Sequence, residues 1–161
     1  MIEQDRIEAL KSTKLAAELD DDQVRKLAAL ITLRDLTAGE MLVKEGPSDN
    51  HLYVILTGDL SVIKSAGTEA AETLFTLDAG DFVGELSFID GTARYASLVA
   101  VDAARVLGLE RERLESLLKS DPEIVYRVMR AILRAVHQIQ RRLSIQSVEL
   151  TNYIYKQHGR Y

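Results

Sequence analysis

The sequence predicts an α+β domain that is mainly β, with an antiparallel sandwich or rolled sheet between helical ends. Helical periodicity marks the start of the chain, short apolar runs between glycines fill the middle, and a long periodic stretch follows Pro122. Short strands with glycine turns at fairly even spacing are typical of sheets that close on themselves. The 161 residues fit one domain, 1–161, with helices in 1–32, the sheet in 33–109 and helices in 110–161.

The N-terminal region predicts two helices. "IEQDRIEALKSTKLAAEL" has a loose helical period, and Asp20 to Asp22 then offer N-cap acids for "QVRKLAALI". One face of this second helix carries apolar side chains, namely Val24, Leu27, Ala28 and Ile31.

The middle region predicts strands. Its apolar runs are "EMLVKEG", "HLYVILTGDLSVIKSAG", "ETLFTLDAGDF" and "ASLVAVDAARVLGLE". In the third run, Leu74 and Leu77 are expected to face the interior ahead of a "DAGD" turn.

A long helix is predicted over about residues 122–148, with Pro122 in its first turn. Its apolar residues alternate spacings of four and three, which is a heptad stripe: Val125, Met129, Ile132, Val136, Ile139 and Leu143. The stripe either pairs with a second copy of the chain in a homodimer or packs on the domain's own sheet. A second apolar flank is available for the latter, consisting of Ile124, Val128 and Leu133.

Composition excludes several classes of function. The chain has no cysteine, so disulfides, thiol catalysis and cysteine-ligated metals are excluded, and its net charge is -5. No apolar run reaches membrane length, and a cytoplasmic protein is expected. A cupin-like metal enzyme needs clustered histidines, whereas His51, His137 and His158 are scattered, so we expect no metal and no enzymatic activity.

The stretch "GELSFIDGTARYAS", Gly84 to Ser97, suggests a site. A turn at Gly84 before a short helix would aim successive backbone N–H groups into one space, which favours an anion. Arg94 adds a cationic fork suited to phosphate, and Glu85 can accept hydrogen bonds from a neighbouring sugar hydroxyl. The pattern indicates a ribose–phosphate pocket. The same sequence is also compatible with Gly84 as an ordinary turn residue, Glu85 as a helix-start acid and Arg94 as a solvated cation.

"GDFVGELSFIDGTARYAS" resembles the phosphate-binding cassette of the cyclic-nucleotide-binding domain family, which includes the catabolite activator protein. "AGEMLVKEG" and "HLYVILTGDLSV" resemble two further motifs of that family, and the likeness covers about residues 1–148. It implies an antiparallel β-roll (jelly roll) of about eight strands, two N-terminal helices, a short cassette helix and a long C-terminal helix. The chain ends at Tyr161, so we expect no DNA-binding module and no binding of DNA or membrane.

The resemblance also implies roles for single residues. Glu85 would bind the ribose 2′-hydroxyl, Arg94 would bind the phosphate, and the Ser97 hydroxyl is a hint towards cGMP. The remaining residues around the phosphate would be Gly84, Leu86, Ser87, Tyr95 and Ala96.

The base and the floor of the pocket are assigned in the same way. Gln140 of the long helix would contact the base. The apolar floor would consist of Leu56, Leu74, Leu77 and Val83. Ala93 and Tyr95 depart from the family pattern, in which a proline precedes the arginine and a small residue follows it.

The predicted function is a stand-alone sensor that binds cAMP or cGMP and signals through its long helix to a partner protein. The alternative is a degenerate, ligand-free domain that serves for dimerisation or as a scaffold.

Overall fold

Two four-stranded antiparallel sheets form the centre of the computed structural model, in which residues 1–138 are described. The first sheet has the order β1-β8-β3-β6 and the second the order β2-β7-β4-β5. The strands are β1 Thr32–Leu36, β2 Met41–Val43, β3 His51–Thr57, β4 Leu60–Lys64, β5 Glu72–Leu77, β6 Phe82–Val83, β7 Ser97–Ala100 and β8 Ala104–Glu110.

Helices precede and follow the strands, and one short helix lies between β6 and β7. They are α1 Ile2–Lys11, a short 3-10 helix Lys14–Ala16, α2 Asp21–Ala28, α3 Glu85–Asp90, α4 Arg111–Glu115 and a long helix α5 that covers residues 122–138. The predicted mainly-β α+β roll is confirmed, including its short cassette helix.

The first helix ends earlier than the sequence pattern indicates. The Ser12 hydroxyl donates to the Ala9 carbonyl at 2.6 Å, and the Thr13 hydroxyl donates to the Leu10 carbonyl at 2.8 Å. Such local hydrogen bonds compete with helical ones, so the chain turns after Lys11.

The second helix begins where the acids predict. Asp20 accepts from the backbone N–H of Gln23 at 2.8 Å, and the Gln23 side chain accepts from the backbone N–H of Asp20 at 3.1 Å. This reciprocal capping box satisfies two N–H groups that a helix start otherwise leaves unpaired.

Two buried clusters divide the core. The helical cluster lies between the helices and the first sheet, and it includes Leu27, Leu52, Phe88, Leu107 and Ile124. The inter-sheet cluster fills the roll, and it includes Val43, Ile55, Val62, Val83 and Leu98. Side chains of β3 alternate between the two clusters, because successive residues of a strand point to opposite faces.

The long helix α5 buries one face in its own domain. Ile132, which belongs to the predicted heptad stripe, is only 1% exposed and lies in the helical cluster with Ile124 and Val128. These residues are four apart and therefore share one helical face. The heptad stripe is thus not available as a whole for a second chain. For Ile132, the interpretation as a homodimer contact is wrong, and packing on the domain's own core is observed.

An apolar flank of α5 nevertheless stays in contact with solvent. Leu133 is 70% exposed, and Tyr126 is 61% exposed. Val125, Met129 and Val136 are half-buried against the helical cluster. Ile139 and Leu143, the last two residues of the stripe, lie outside the described residues.

Candidate functional site

The site is built around the turn between β6 and α3. Gly84 follows Val83 with a φ of 82°, in the left-handed region that favours glycine, and α3 begins at the next residue. The opposite end of α3 is closed by Gly91, with a φ of 74°. Phe88, which is 1% exposed, anchors this short helix in the helical cluster.

The Arg94 guanidinium lies directly against Gly84. A Cβ atom at residue 84 would stand 2.6 Å from its Cζ and 2.8 Å from its Nη2. Since real Cβ contacts are longer, only glycine leaves this space to the guanidinium. Arg94 is 7% exposed, so the sequence alternative of a solvated surface cation does not apply.

Asp49 is the ionic partner of Arg94, and sequence reasoning missed it. Arg94 Nη2 donates to Asp49 Oδ1 and to the His51 carbonyl oxygen, the latter at 2.6 Å. Burial opposes the ionisation of Asp49, but its hydrogen bond with Arg94 and the charge of Arg94 outweigh burial and hold the pKa of this carboxyl below its ordinary value. The side chain of Tyr53 donates to Asp49 Oδ2 at 3.2 Å; burial, and next the Asp49 charge, raise the pKa of this tyrosine to about 12.

A buried donor of Arg94 is left without a partner. Its Nε is buried and has no hydrogen-bond partner within residues 1–138. Buried polar groups are nearly always paired, so an unpaired charged donor beside an amide-rich turn calls for an acceptor. A phosphate oxygen fits that donor in charge and in hydrogen-bonding capacity.

The other predicted cassette residues surround this centre. Glu85 is half-buried at the first position of α3, and the Leu86 side chain is 65% exposed beside it. Ser87 is 3% exposed, and its hydroxyl is hydrogen-bonded to the hydroxyl of Ser48. Tyr95 is 60% exposed, and its partial burial, followed by the charge of Glu85, raises the pKa of its phenol.

Ala96 and Ser97 are buried behind the arginine. Ala96 belongs to the inter-sheet cluster, and Ser97 begins β7 with 2% exposure. The Ser97 hydroxyl oxygen accepts a hydrogen bond from the backbone N–H of Glu45 at 2.9 Å. This hydrogen bond gives the hydroxyl a structural role, and its role in base selection stays a prediction.

The predicted apolar floor is only partly assembled. Val83 and Leu77 join the inter-sheet cluster, where Val43 and Val62 lie with them although sequence reasoning did not select these two. Leu56 packs against the helical cluster instead, because the alternation along β3 turns it to the opposite face from Ile55.

Leu74 also departs from its predicted inward position. It is 41% exposed, and it lies where the register of β5 against β4 shifts between the pairs Val62↔Phe75 and Ile63↔Thr73. This β-bulge gives Leu74 no partner across the ladder. In addition, β5 is the edge strand of the second sheet and is exposed from Glu72 to Thr76, so neither of its faces is covered at Leu74. Gln140, the predicted base contact, lies outside the described residues.

Comparison with known proteins identifies the family. The model of the cyclic nucleotide-binding domain matches residues 33–121, and the chain therefore belongs to the cyclic nucleotide-binding domain family. A crystal structure of a cyclic nucleotide-binding domain from Methylobacillus flagellatus has a TM-score of 0.73 and 28% identity, and the match covers 87% of this chain and 79% of that one.

Two curated relatives are described as responding to different cyclic nucleotides. A CRP-like cAMP-activated global transcriptional regulator from Mycobacterium tuberculosis is 26% identical over 110 residues, which are 68% of this chain and 49% of that protein. The cGMP-dependent protein kinase, isozyme 1, from Drosophila melanogaster is 30% identical over 112 residues, which are 69% of this chain and 14% of that protein. The chain thus spans less than half of the length of either relative.

Two further properties concern residues 1–138. No helix in this range is long and apolar enough to cross a membrane. Over the same residues, no three histidine or acidic side chains come together in a way that could hold a metal ion. The fold and the family are those of a regulatory ligand-binding domain.

Proposed function

We propose that the cassette of this chain binds cAMP or cGMP, with Arg94 as the residue that holds the cyclic phosphate. The observation that carries the proposal is the buried guanidinium against Gly84, whose Nε lacks an acceptor in the described part of the chain. An anionic phosphate oxygen would accept a hydrogen bond from this donor. The Asp49 carboxylate keeps the guanidinium in place without using Nε.

Glu85 would accept a hydrogen bond from the ribose 2′-hydroxyl. Its position at the start of α3, one residue after Gly84, supports this role because sugar and phosphate are adjacent in the ligand. The backbone N–H groups of Gly84, Leu86 and Ser87 would face the phosphate, and Val83 and Leu77 would line the apolar side. Relatives that respond to cAMP and to cGMP are both found, so the two nucleotides stand as equal candidates.

The long helix α5 would transmit the bound state to a partner protein. Phe88 of the cassette helix and Ile124 and Val128 of α5 belong to the same buried cluster, which supports mechanical coupling between them. A ligand that moves α3 by a small distance changes the packing under α5, and it thereby shifts the population of α5 positions. Gln140 remains our candidate for a contact with the base.

A homodimer is a second element of the proposal. The exposed flank formed by Leu133 and Tyr126, with Met129 half-buried beside it, supports a helix-to-helix contact between two copies. Replacing Leu133 with glutamate should give a monomer in analytical ultracentrifugation while leaving the melting temperature of the domain nearly unchanged. A monomeric wild-type protein would refute the homodimer.

Calorimetric titration with cAMP and with cGMP tests the binding proposal. The wild-type protein should bind one of them well below millimolar concentration, and Arg94→Ala should weaken binding by about 10- to 150-fold, which corresponds to losing a charge-assisted contact of about 1.5–3 kcal/mol. Arg25→Ala is the matched control, because Arg25 lies on α2 in an exposed pair with Asp22. Binding of neither nucleotide by the wild type would favour the ligand-free scaffold.

A further inference from the structure

The backbone that follows Arg94 is held by an ion pair from outside the cassette. Lys64, the last residue of β4, donates from Nζ to the carbonyl oxygen of Tyr95 at 2.7 Å. The same ammonium is paired with the carboxylate of Glu45. Lys64 therefore connects residue 95 to the loop between β2 and β3.

Glu45 is fixed from several directions. Its Oε2 accepts from the backbone N–H of Ser65 at 2.9 Å, and Ser65 has a φ of 57°, which is unusual for a residue other than glycine. Its own backbone N–H donates to the hydroxyl of Ser97. The carboxylate thus stabilises the turn after β4 and, through Lys64, the segment after Arg94.

Arg94 itself is joined to the residue next to Glu45. The backbone N–H of Arg94 donates to the Gly46 carbonyl at 2.7 Å, and the Gly46 N–H donates to the Arg94 carbonyl at 2.9 Å. In contrast, residues 91–93 lie in neither helix nor strand and are exposed. The backbone of residues 94–96 is therefore held by residues 45–46 and 64 and not by the chain that leads into it, while the Arg94 guanidinium is held by Asp49 and His51.

We propose that Glu45 and Lys64 form a positioning pair that fixes Arg94 for the phosphate of the cyclic nucleotide, an inference that rests on the proposed function. Two of the three Lys64 donors are directed to Glu45 and to the Tyr95 carbonyl, so its ammonium acts on the loop and not on the ligand. The pair is partly exposed and contributes little to global stability. Its effect is on the geometry of Arg94. A side chain that is already held in its binding position loses less conformational entropy when the ligand binds.

Two measurements test the positioning pair. Nucleotide affinity is measured by calorimetry with cAMP and with cGMP, and hydrogen exchange of the amides in residues 94–97 is measured without nucleotide. Lys64→Met should weaken binding by about three- to tenfold and speed up exchange in that segment. Lys64→Arg, which keeps both donors, should restore affinity and slow exchange.

The controls separate positioning from stability and from charge. Lys11→Met removes an exposed ion pair with Asp21 and should change neither affinity nor exchange in this segment. The double variant with Glu45→Gln and Lys64→Met should bind nucleotide no more weakly than Lys64→Met alone, because the two side chains act as one unit.

The outcomes are distinguishable. Wild-type exchange in Lys64→Met would refute the positioning pair, whether or not affinity changes; a loss of affinity with unchanged exchange would make Lys64 a direct phosphate contact. If the wild type binds neither nucleotide, the proposed function fails, while the exchange measurement alone still decides whether Lys64 orders the segment.

Discussion

Replacing Gly84 with alanine tests the close approach of Arg94 to the cassette turn. The new Cβ would lie 2.6 Å from Arg94 Cζ, so the guanidinium would have to leave its place. At a φ of 82°, a side chain also costs about 1–2 kcal/mol of backbone strain. Loss of the Arg94 hydrogen bonds to Asp49 and His51 raises the total loss of unfolding free energy to about 2.5–5 kcal/mol.

Gly39→Ala is a matched control for this substitution. Gly39 has a φ of 81°, and a Cβ there would meet nothing within 4 Å. It should therefore cost only the strain of about 1–2 kcal/mol and leave nucleotide affinity unchanged. Urea unfolding and calorimetry measure both quantities for the two variants. Equal stabilities of the two variants, or wild-type nucleotide affinity in Gly84→Ala, would refute the role assigned to Gly84.

Further substitutions test other parts of the domain. The folded-state pKa of Asp49 is depressed, so its contribution to stability is present above the ordinary value of 3.8 and is lost as pH falls through the lower folded value. On acidification below about pH 4, the melting temperature of Asp49→Asn should consequently fall less than that of the wild type. The same dependence of melting temperature on pH in both proteins would contradict this. Phe88→Ala should lower the unfolding free energy by about 3–5 kcal/mol in urea, because it empties a site in the helical cluster; a loss below 1 kcal/mol would mean that α3 is not anchored there. Asp20→Ala should lower the unfolding free energy by about 1 kcal/mol, because it removes the acceptor for the Gln23 backbone N–H. Unchanged urea unfolding would show that this N–H needs no side-chain partner.

Local patterns were sufficient for the order of helical and strand regions, whereas the cassette was distinguished from an ordinary turn only by the resemblance to the family. The turn at Gly84 and the start of a short helix after it follow from the position of this glycine within a few residues. The start of α2 at Asp20 is equally local, because a cap and its helix are adjacent in sequence.

Contacts between distant segments could not be predicted in the same way. Asp49 is 45 positions from Arg94, and no pattern near either residue indicates the pair. Leu74 was misplaced because the apolar pattern of β5 does not show that this strand lies at an edge of its sheet with both faces exposed. Ile132 fits a heptad and a core face equally well, and only the packed structure distinguishes between them.

The pairing of β1 with β8, from Thr32↔Gly108 to Leu36↔Ala104, has a consequence for folding. Since the first and last strands of the roll are neighbours in one sheet, we expect the roll to close only after most of the chain between them is in place. Asp49, Gly84 and Arg94 come from separate parts of that stretch, so a half-folded chain has no complete site. A nucleotide that binds only the closed roll should therefore slow the opening of the domain and leave the rate of closing unchanged.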